Sequence, residues 1–499
     1  MIYPLFFLCL LLIIVITYRL HTSTPEELSK NELVHEDFRL IIKNLNYEQQ
    51  IGFCFGFTLS WALDNLRKTD DKFYQIIELI RDEKNVLSIK LPEITKKIKE
   101  KIPLDMQDRK LVHIPSFIER MYLAQAPHHY RPIYKIRLNQ TSINTILRLM
   151  DEEPEAKTPI IRIFAKTYSF NSKQRTTNYF LTLGRMLREN DNLVMLLHSN
   201  GHTIGLKKNG KQWLLIDINI LYAQSLEYPY FILKNDELFD QLSKCLNQKN
   251  TLIFTTDFIS NDSALSLKKR LERFNNNYPV FQQQIFYPDC KLDLLSLSIM
   301  NGDQSTTNKI ISLNNQYKML TPQQIASAVF YAIRMDQLGI LKLIINTPGF
   351  KINMTDDDGS EVLGVAAYWG KARLVKHLLL CPGVKINAFN SKKETPLMLA
   401  CRSEHTHQNT ALFILLLEFG AYYHKKSLHI AMKFENQAAI AVLSKFKAVT
   451  SPIKHSLKTQ GSSSLATHSS LFSPAKVLEK HTESKEDADH GFGSFASTN

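Results

Sequence analysis

An eight-residue segment that returns after 34 positions constrains this chain more than any other feature. Asn346-Thr347-Pro348-Gly349-Phe350-Lys351-Ile352-Asn353 recurs as Leu380-Cys381-Pro382-Gly383-Val384-Lys385-Ile386-Asn387. The same shift carries Val329 to Leu363, Ala332 to Ala366 and Leu341 to Val375, and a second one carries Leu363 to Leu397 and Ala366 to Ala400. From Leu397 the next match, Leu428, comes after 31, which a rebuilt helix linker around Glu404-His405-Thr406-His407 would explain. Ser298 and Leu295 precede Ala332 and Val329 by 34, so a degenerate first unit begins near Lys291. Each unit sets small residues on a first helix, where neighbours approach closely, and Leu/Ile on a second helix behind it. Such a unit cannot bury its own apolar face, so the segment must fold as a stack.

The units carry a recognisable motif. Glu394-Thr395-Pro396-Leu397-Met398-Leu399-Ala400 resembles the ankyrin sequence T-P-L-H-x-A, with Met398 in the His position. Leu428-His429-Ile430-Ala431 keeps that His, and Phe419-Gly420-Ala421 matches the turn after the second helix. The resemblance implies an all-α ankyrin repeat solenoid of four to five units over 291–445, offering an extended surface to a protein partner. Within it Cys381 and Cys401 are packing residues and His429 a structural capping residue.

With 44% apolar and 10% aromatic residues, most of the remaining chain can also bury a core. A net charge of +13 is modest over 499 residues. The longest basic run, Lys96-Lys97-Ile98-Lys99-Glu100-Lys101, has no interleaved aromatics and reads as a solvated helix end, so no nucleic-acid partner is expected. Six cysteines without C-x-x-C or zinc-type clustering point to a reducing compartment. No P-loop, G-x-G-x-x-G or H-E-x-x-H occurs, and His113, His128, His129 and His198 lack metal spacing. Neither a cofactor nor a metal is expected.

The chain ends differ from its middle. Met1 to Ile16 has no charged side chain, and Arg19 supplies the first positive one, so residues 1–21 form a hydrophobic segment that would serve as an uncleaved anchor with the body on the cytosolic side. Residues 446–499 are Ser-rich, then carry Glu479-Lys480-His481-Thr482-Glu483-Ser484-Lys485-Glu486-Asp487-Ala488-Asp489, a composition expected to stay disordered. A Glu-rich cluster near a polar C-terminus resembles the translocation signals of type IV-secreted bacterial effectors.

Residues 22–288 hold the chemistry. In Gly52-Phe53-Cys54-Phe55-Gly56-Phe57-Thr58-Leu59-Ser60-Trp61-Ala62, the apolar positions follow helical spacing from Cys54, which therefore falls in a first helical turn. There the positive end of the helix dipole and unpaired N–H groups favour a thiolate and could cradle an oxyanion. Small Gly52 and Gly56 would let a substrate backbone approach. Further on, Gly201-His202-Thr203-Ile204-Gly205-Leu206-Lys207-Lys208 and Lys211-Gln212-Trp213-Leu214-Leu215-Ile216-Asp217 flank Asn209-Gly210, a hairpin signal. If Asn209-Gly210 forms a type I′ turn, Lys208 faces Lys211 and His202 lies directly opposite Asp217. Ile204, Leu206, Trp213 and Leu215 would share their face. A nucleophilic thiol needs a base, and the base an acceptor that fixes its tautomer; Cys54, His202 and Asp217 supply all three in that order.

G-x-C-x-G-x-x-x-x-W opening a helix, then G-H in an alternating apolar strand, then a hairpin ending in an acid followed by Asn219, resembles the YopT/AvrPphB group of papain-like cysteine proteases. Together with Ser116-Phe117-Ile118-Glu119-Arg120-Met121-Tyr122-Leu123 and the trailing repeats, it is similar to ankyrin-bearing cysteine protease-like effectors of Legionella-type bacteria. The resemblance implies an α+β papain-like cysteine protease domain in a secreted effector, with Cys54 as nucleophile, His202 as base and Asp217 as orienting acid. It departs at Asp217-Ile218-Asn219, where the group has D-P-N. Papain-like enzymes place an oxyanion-binding Gln shortly before the Cys, which leaves Gln49 and Gln50 as candidates. The same triad would also serve a transglutaminase- or deamidase-like acyl transferase, and a vestigial triad would leave an ankyrin adaptor for host proteins.

Overall fold

The computed structural model describes residues 33–446 except 34, 46, 48–51, 135–137, 139, 141, 153–157, 200, 250, 262–264 and 279–292. The hydrophobic segment 1–21, Gln49, Gln50 and nearly all of the tail lie outside the described residues. No helix among the described residues is long and apolar enough to cross a membrane. The chain divides into two compact units at Met354/Thr355.

The first unit opens with helices. α1 (His35–Asn44), α2 (Cys54–Arg67), α3 (Asp70–Lys99), α4 (Met106–Leu111), α5 (His113–Gln125), the single turn α6 (Arg131–Tyr134) and α7 (Ile143–Met150) precede the sheet. α2 is mostly apolar, and every residue from Cys54 to Leu66 is buried, including Thr58, Ser60, Asp64 and Asn65, as in a central helix. The Lys-rich run closes α3, where Lys96, Lys97 and Lys99 in the last turn meet the negative end of the helix dipole.

β1 (Ile160–Phe170), β2 (Leu193–Ser199), β3 (His202–Asn209), β4 (Gln212–Ile216), β5 (Phe231–Leu233) and β6 (Leu252–Asn261) form an antiparallel sheet in the order β1-β6-β2-β3-β4-β5. Alternation along β2 sorts side chains between two cores. Val194 and Leu196 join the helical core built on α2, and Leu193, Met195 and Leu197 join a second core with α8 (Lys173–Met186), α9 (Leu238–Cys245) and α10 (Leu265–Asn275). The continuous apolar run of β2 follows from this, since both of its faces are covered.

Five helix pairs follow among the described residues: α11 (Leu294–Met300) with α12 (Gln304–Tyr317), α13 (Pro322–Arg334) with α14 (Leu338–Ile345), α15 (Val362–Tyr368) with α16 (Ala372–Leu379), α17 (Pro396–Arg402) with α18 (Thr410–Glu418), and α19 (Lys425–Lys433) with a helix over 437–446. Ala332, Ala366, Ala400 and Ala431 on the first helices are fully buried, as the repeat pattern requires. The first two pairs belong to the first unit, where α11 and α12 lie against the sheet. Arg162 donates to Asn301 O at 3.2 Å, Lys166 Nζ to Thr306 Oγ1 at 3.0 Å, and the Thr167 N–H to Asp303 Oδ2 at 2.6 Å.

Two local readings change. The 31-residue step does not come from the helix linker alone. Ala366 to Ala372 is six positions and Ala400 to Thr410 is ten, so the linker is four longer; Ala372 to Ala400 is 28 and Thr410 to Ala431 is 21, so the following loop is seven shorter. The cap of α19 is His424, whose Nδ1 accepts the Lys426 N–H at 3.0 Å, while His429 lies inside that helix.

Candidate functional site

α2 is held by close approaches on two sides. A Cβ on Gly56 would come within 2.0 Å of Met121 O in α5, so this glycine lets two helices touch rather than admitting a substrate. A Cβ on Gly205 of β3 would come within 2.4 Å of the Trp61 ring, so α2 rests flat on the strand that carries His202. Thr58 Oγ1 donates to Thr203 O at 3.1 Å, Lys207 Nζ to Asn65 Oδ1 at 2.9 Å and Asn192 Nδ2 to Leu66 O at 2.9 Å. Helix and sheet are thereby locked in one register, with Cys54 at the helix start beside the start of β3.

The hairpin differs from the sequence expectation by two residues. Asn209 pairs with Gln212 and Gly205 with Ile216, so the turn is Gly210-Lys211. Gly210 has φ +57 and Lys211 is not at positive φ. A single left-handed residue at the first central position is the type II′ pattern, whereas type I′ needs two. Since strand faces repeat every two residues, the slip leaves every side chain on its expected face. Continuing the register sets Asp217 opposite Ile204 and Asn219 opposite His202. Asp217 reaches His202 diagonally, and its Oδ1 lies 2.9 Å from His202 Nε2. The same Oδ1 accepts the Asn219 N–H at 2.9 Å, fixing the carboxylate within an Asx turn. Asn219 Nδ2 stands 3.4 Å from His202 Nε2.

With Nε2 committed to Asp217, the other ring nitrogen of His202 is left for a further partner, and Cys54 lies near enough to this ring to favour its charged form. The Cys54 Sγ also lies 3.6 Å from Gly201 O. Burial opposes charge on His202, but Asp217 and Cys54 outweigh it and push the imidazole up to about 10. The ring is therefore an imidazolium across the neutral range. Phe53 caps α2 without a side-chain acceptor, and Gln125 Oε1 takes the Gly56 N–H at 3.2 Å. The Cys54 and Phe55 N–H groups have no acceptor within the helix. Behind the pair, burial and the Asp217 charge push the Cys245 thiol well above its ordinary value, so it is an inert neighbour.

These groups open onto a cleft of about 290 Å³ lined by His35, Arg39, Gly52, Cys54, Gly201, His202 and Asn219. His35 and Arg39 were not anticipated: they sit on α1, and no local pattern ties them to Cys54. The tie is tertiary, since His35 Nε2 accepts the Phe53 N–H at 3.0 Å and the two rings stack at 5.6 Å. A second imidazole–carboxylate pair, His198 Nε2 to Asp257 Oδ2 at 3.0 Å, was passed over in the sequence. His198 Nδ1 meets Thr203 Oγ1 at 3.0 Å and Asp257 also binds Arg162, so the pair is saturated and braces β2 against β6. No three His, Cys, Asp or Glu among the described residues are grouped to hold a metal ion.

Residues 363–451 match the family model described as ankyrin repeats (3 copies). No curated protein matches the chain. The C-terminal part of the protein, over 363–451, consists of ankyrin repeats.

Proposed function

We propose that the first unit is a thiol hydrolase of papain-like type and that the ankyrin repeats select the protein on which it acts. The observation that carries the reading is one ring, His202, bonded to Asp217 and lining the same open cleft as Cys54, which stands at the start of a buried helix. The Cys54 thiolate attacks a carbonyl carbon, and the Cys54 and Phe55 N–H groups, which lack helical acceptors, would donate to the oxyanion. His202 passes its Nδ1 proton to the leaving amine as the C–N bond breaks, giving a thioester. Neutral His202 then takes a proton from water, which attacks the thioester, and Cys54 leaves as thiolate. A helix-borne nucleophile followed by an antiparallel sheet bearing base and acid supports the papain-like assignment.

Ankyrin stacks bind proteins, which favours a protein substrate over a small molecule. Delivery into a host cell as an effector rests on the composition of the tail. The reaction is tested by incubating full-length protein, and its Cys54→Ala variant, with a denatured protein digest and reading products by mass spectrometry. New termini that depend on Cys54 establish hydrolysis, and a one-unit mass gain on Gln would make the enzyme a deamidase. If neither forms, and iodoacetamide alkylates Cys54 no faster than Cys245, the hydrolase reading fails and the adaptor reading replaces it.

A further inference from the structure

We propose that the cleft beside Cys54 is a carboxylate-binding subsite in which Arg39, on α1, selects substrates carrying a negative charge next to the bond attacked. The inference rests on the thiol hydrolase reading and adds the substrate class. Among the described residues lining the cleft, two bear positive charge, Arg39 and His202, and none is a carboxylate. Arg39 has a single ion-pair partner there, Glu36 at 3.1 Å, one turn away on the same helix, with 45% and 73% of the two side chains exposed. An exposed pair at this spacing contributes little, so a carboxylate entering the cleft competes with it readily. A planar guanidinium binds a carboxylate through two parallel hydrogen bonds.

His35 adds direction. Its Nε2 accepts the Phe53 N–H, so the neutral ring carries its proton on Nδ1 and borders the cleft as a donor. Burial first, then the Arg39 charge, lowers the His35 pKa, and His202 adds to this, so three basic side chains line one cleft whose described lining holds no carboxylate. The acidic neighbours, Glu36 and Asp217, stand outside the lining residues. A cavity of about 290 Å³ admits one side chain or one chain end. The carboxylate is therefore an Asp or Glu side chain, or the free α-carboxylate of a C-terminus.

The test uses two reagents with the same leaving group, iodoacetate and iodoacetamide, on full-length wild type, Arg39→Gln and Arg39→Glu, with alkylation of Cys54 and Cys245 followed by mass spectrometry. His202 is common to all three proteins, so differences between them isolate Arg39. Arg39→Gln is expected to lower the iodoacetate-to-iodoacetamide rate ratio at Cys54 roughly three- to tenfold, the scale of one partly exposed charge. Arg39→Glu should lower it further, and 1 M salt should erase the difference. If Cys54 reacts faster than Cys245 but its ratio is unchanged by Arg39→Gln, the subsite is wrong while the thiol reading stands. If Cys54 is no more reactive than Cys245 with either reagent, the thiol reading itself has failed. The source of the carboxylate is decided by protection of Cys54 from iodoacetamide. An internal Asp in an end-blocked tripeptide is compared with tri-alanine bearing a free C-terminus and with fully blocked tri-alanine. Arg39-dependent protection by one charged peptide names the source; no protection beyond that of the neutral peptide overturns the proposal for peptide substrates.

Discussion

At His202 one ring serves two partners, and its titration follows from that. Its folded pKa, about 10, lies above the roughly 6.5 of an unfolded histidine. A raised value means that the charged ring stabilises the fold fully below about pH 6.5 and loses that contribution as pH rises through about 10. The difference in melting temperature between wild type and His202→Ala is therefore expected to narrow between pH 7 and pH 10. Asp217→Asn keeps an acceptor that orients the ring but removes the charge, so NMR of labelled histidine should show His202 titrating well below its wild-type value. Turnover should fall less in Asp217→Asn than in His202→Ala. The grouping of Cys54, His202 and Asp217 was legible in the sequence because each position depends on a local pattern: a helix start for Cys54, strand alternation for His202 and Asp217. Direct opposition of His202 and Asp217 does not hold because Asn209-Gly210 suits a type I′ turn equally well by composition, and the φ of Asn209, which that turn needs positive and which is not, separates the two. Arg39 and His35 had no signal, because their placement depends on how α1 meets Phe53.

At the scale of elements, the position of Cys54 depends on how closely α2 sits on its neighbours. Gly56→Ala places a methyl against the Met121 carbonyl, a backbone atom that cannot rotate away. Overpacking of this kind costs about 1–3 kcal/mol or more, so the melting temperature should fall by several degrees. Gly205→Ala meets the Trp61 ring and pushes α2 off β3; Cys54 alkylation should slow more than global stability suggests, because the thiol moves away from His202. Gly184 in α8 is the contrast. Its Cβ would sit 3.5 Å from the Trp213 ring, an ordinary contact, and Gly184→Ala should gain roughly 0.5–1 kcal/mol from helix propensity. The repeats follow a similar logic, since Asn409 Nδ2 donates to Gly370 O at 2.8 Å and Asn436 Nδ2 to Thr406 Oγ1 at 2.6 Å. Period and small residues were legible there, whereas the redistribution of length between linker and loop near Thr410 was not, because only their sum shows in the spacing.

For the whole molecule, the question is where the body that carries Cys54 ends. The sequence suggests a break near Pro288, where the repeats begin. Packing within the first unit argues for a later one. Asp303 accepts the Thr167 N–H, Thr306 accepts from Lys166, and Asn301 O accepts from Arg162, which also pairs with Asp257 beneath His198. Removing α11 and α12 leaves Lys166, 9% exposed, without Thr306, and Thr167 without Asp303. Water replaces these partners, so each lost hydrogen bond costs its net contribution of about 0.5–1.5 kcal/mol, together with the lost burial of Leu294, Leu295 and Leu297, and a domain has only about 5–15 kcal/mol of net stability. A chain ending at Pro288 is therefore expected to be poorly folded and to lose selective Cys54 alkylation, whereas one ending at Met354 keeps both. Protein selection, if it resides in the ankyrin repeats, should then separate cleanly. Residues 355–446 alone should capture the same partners as the full chain, and the chain ending at Met354 should retain Cys54 reactivity while capturing none of them. Recovery of those partners by the Met354 chain would move recognition to the first unit and end the recruitment role assigned to the repeats.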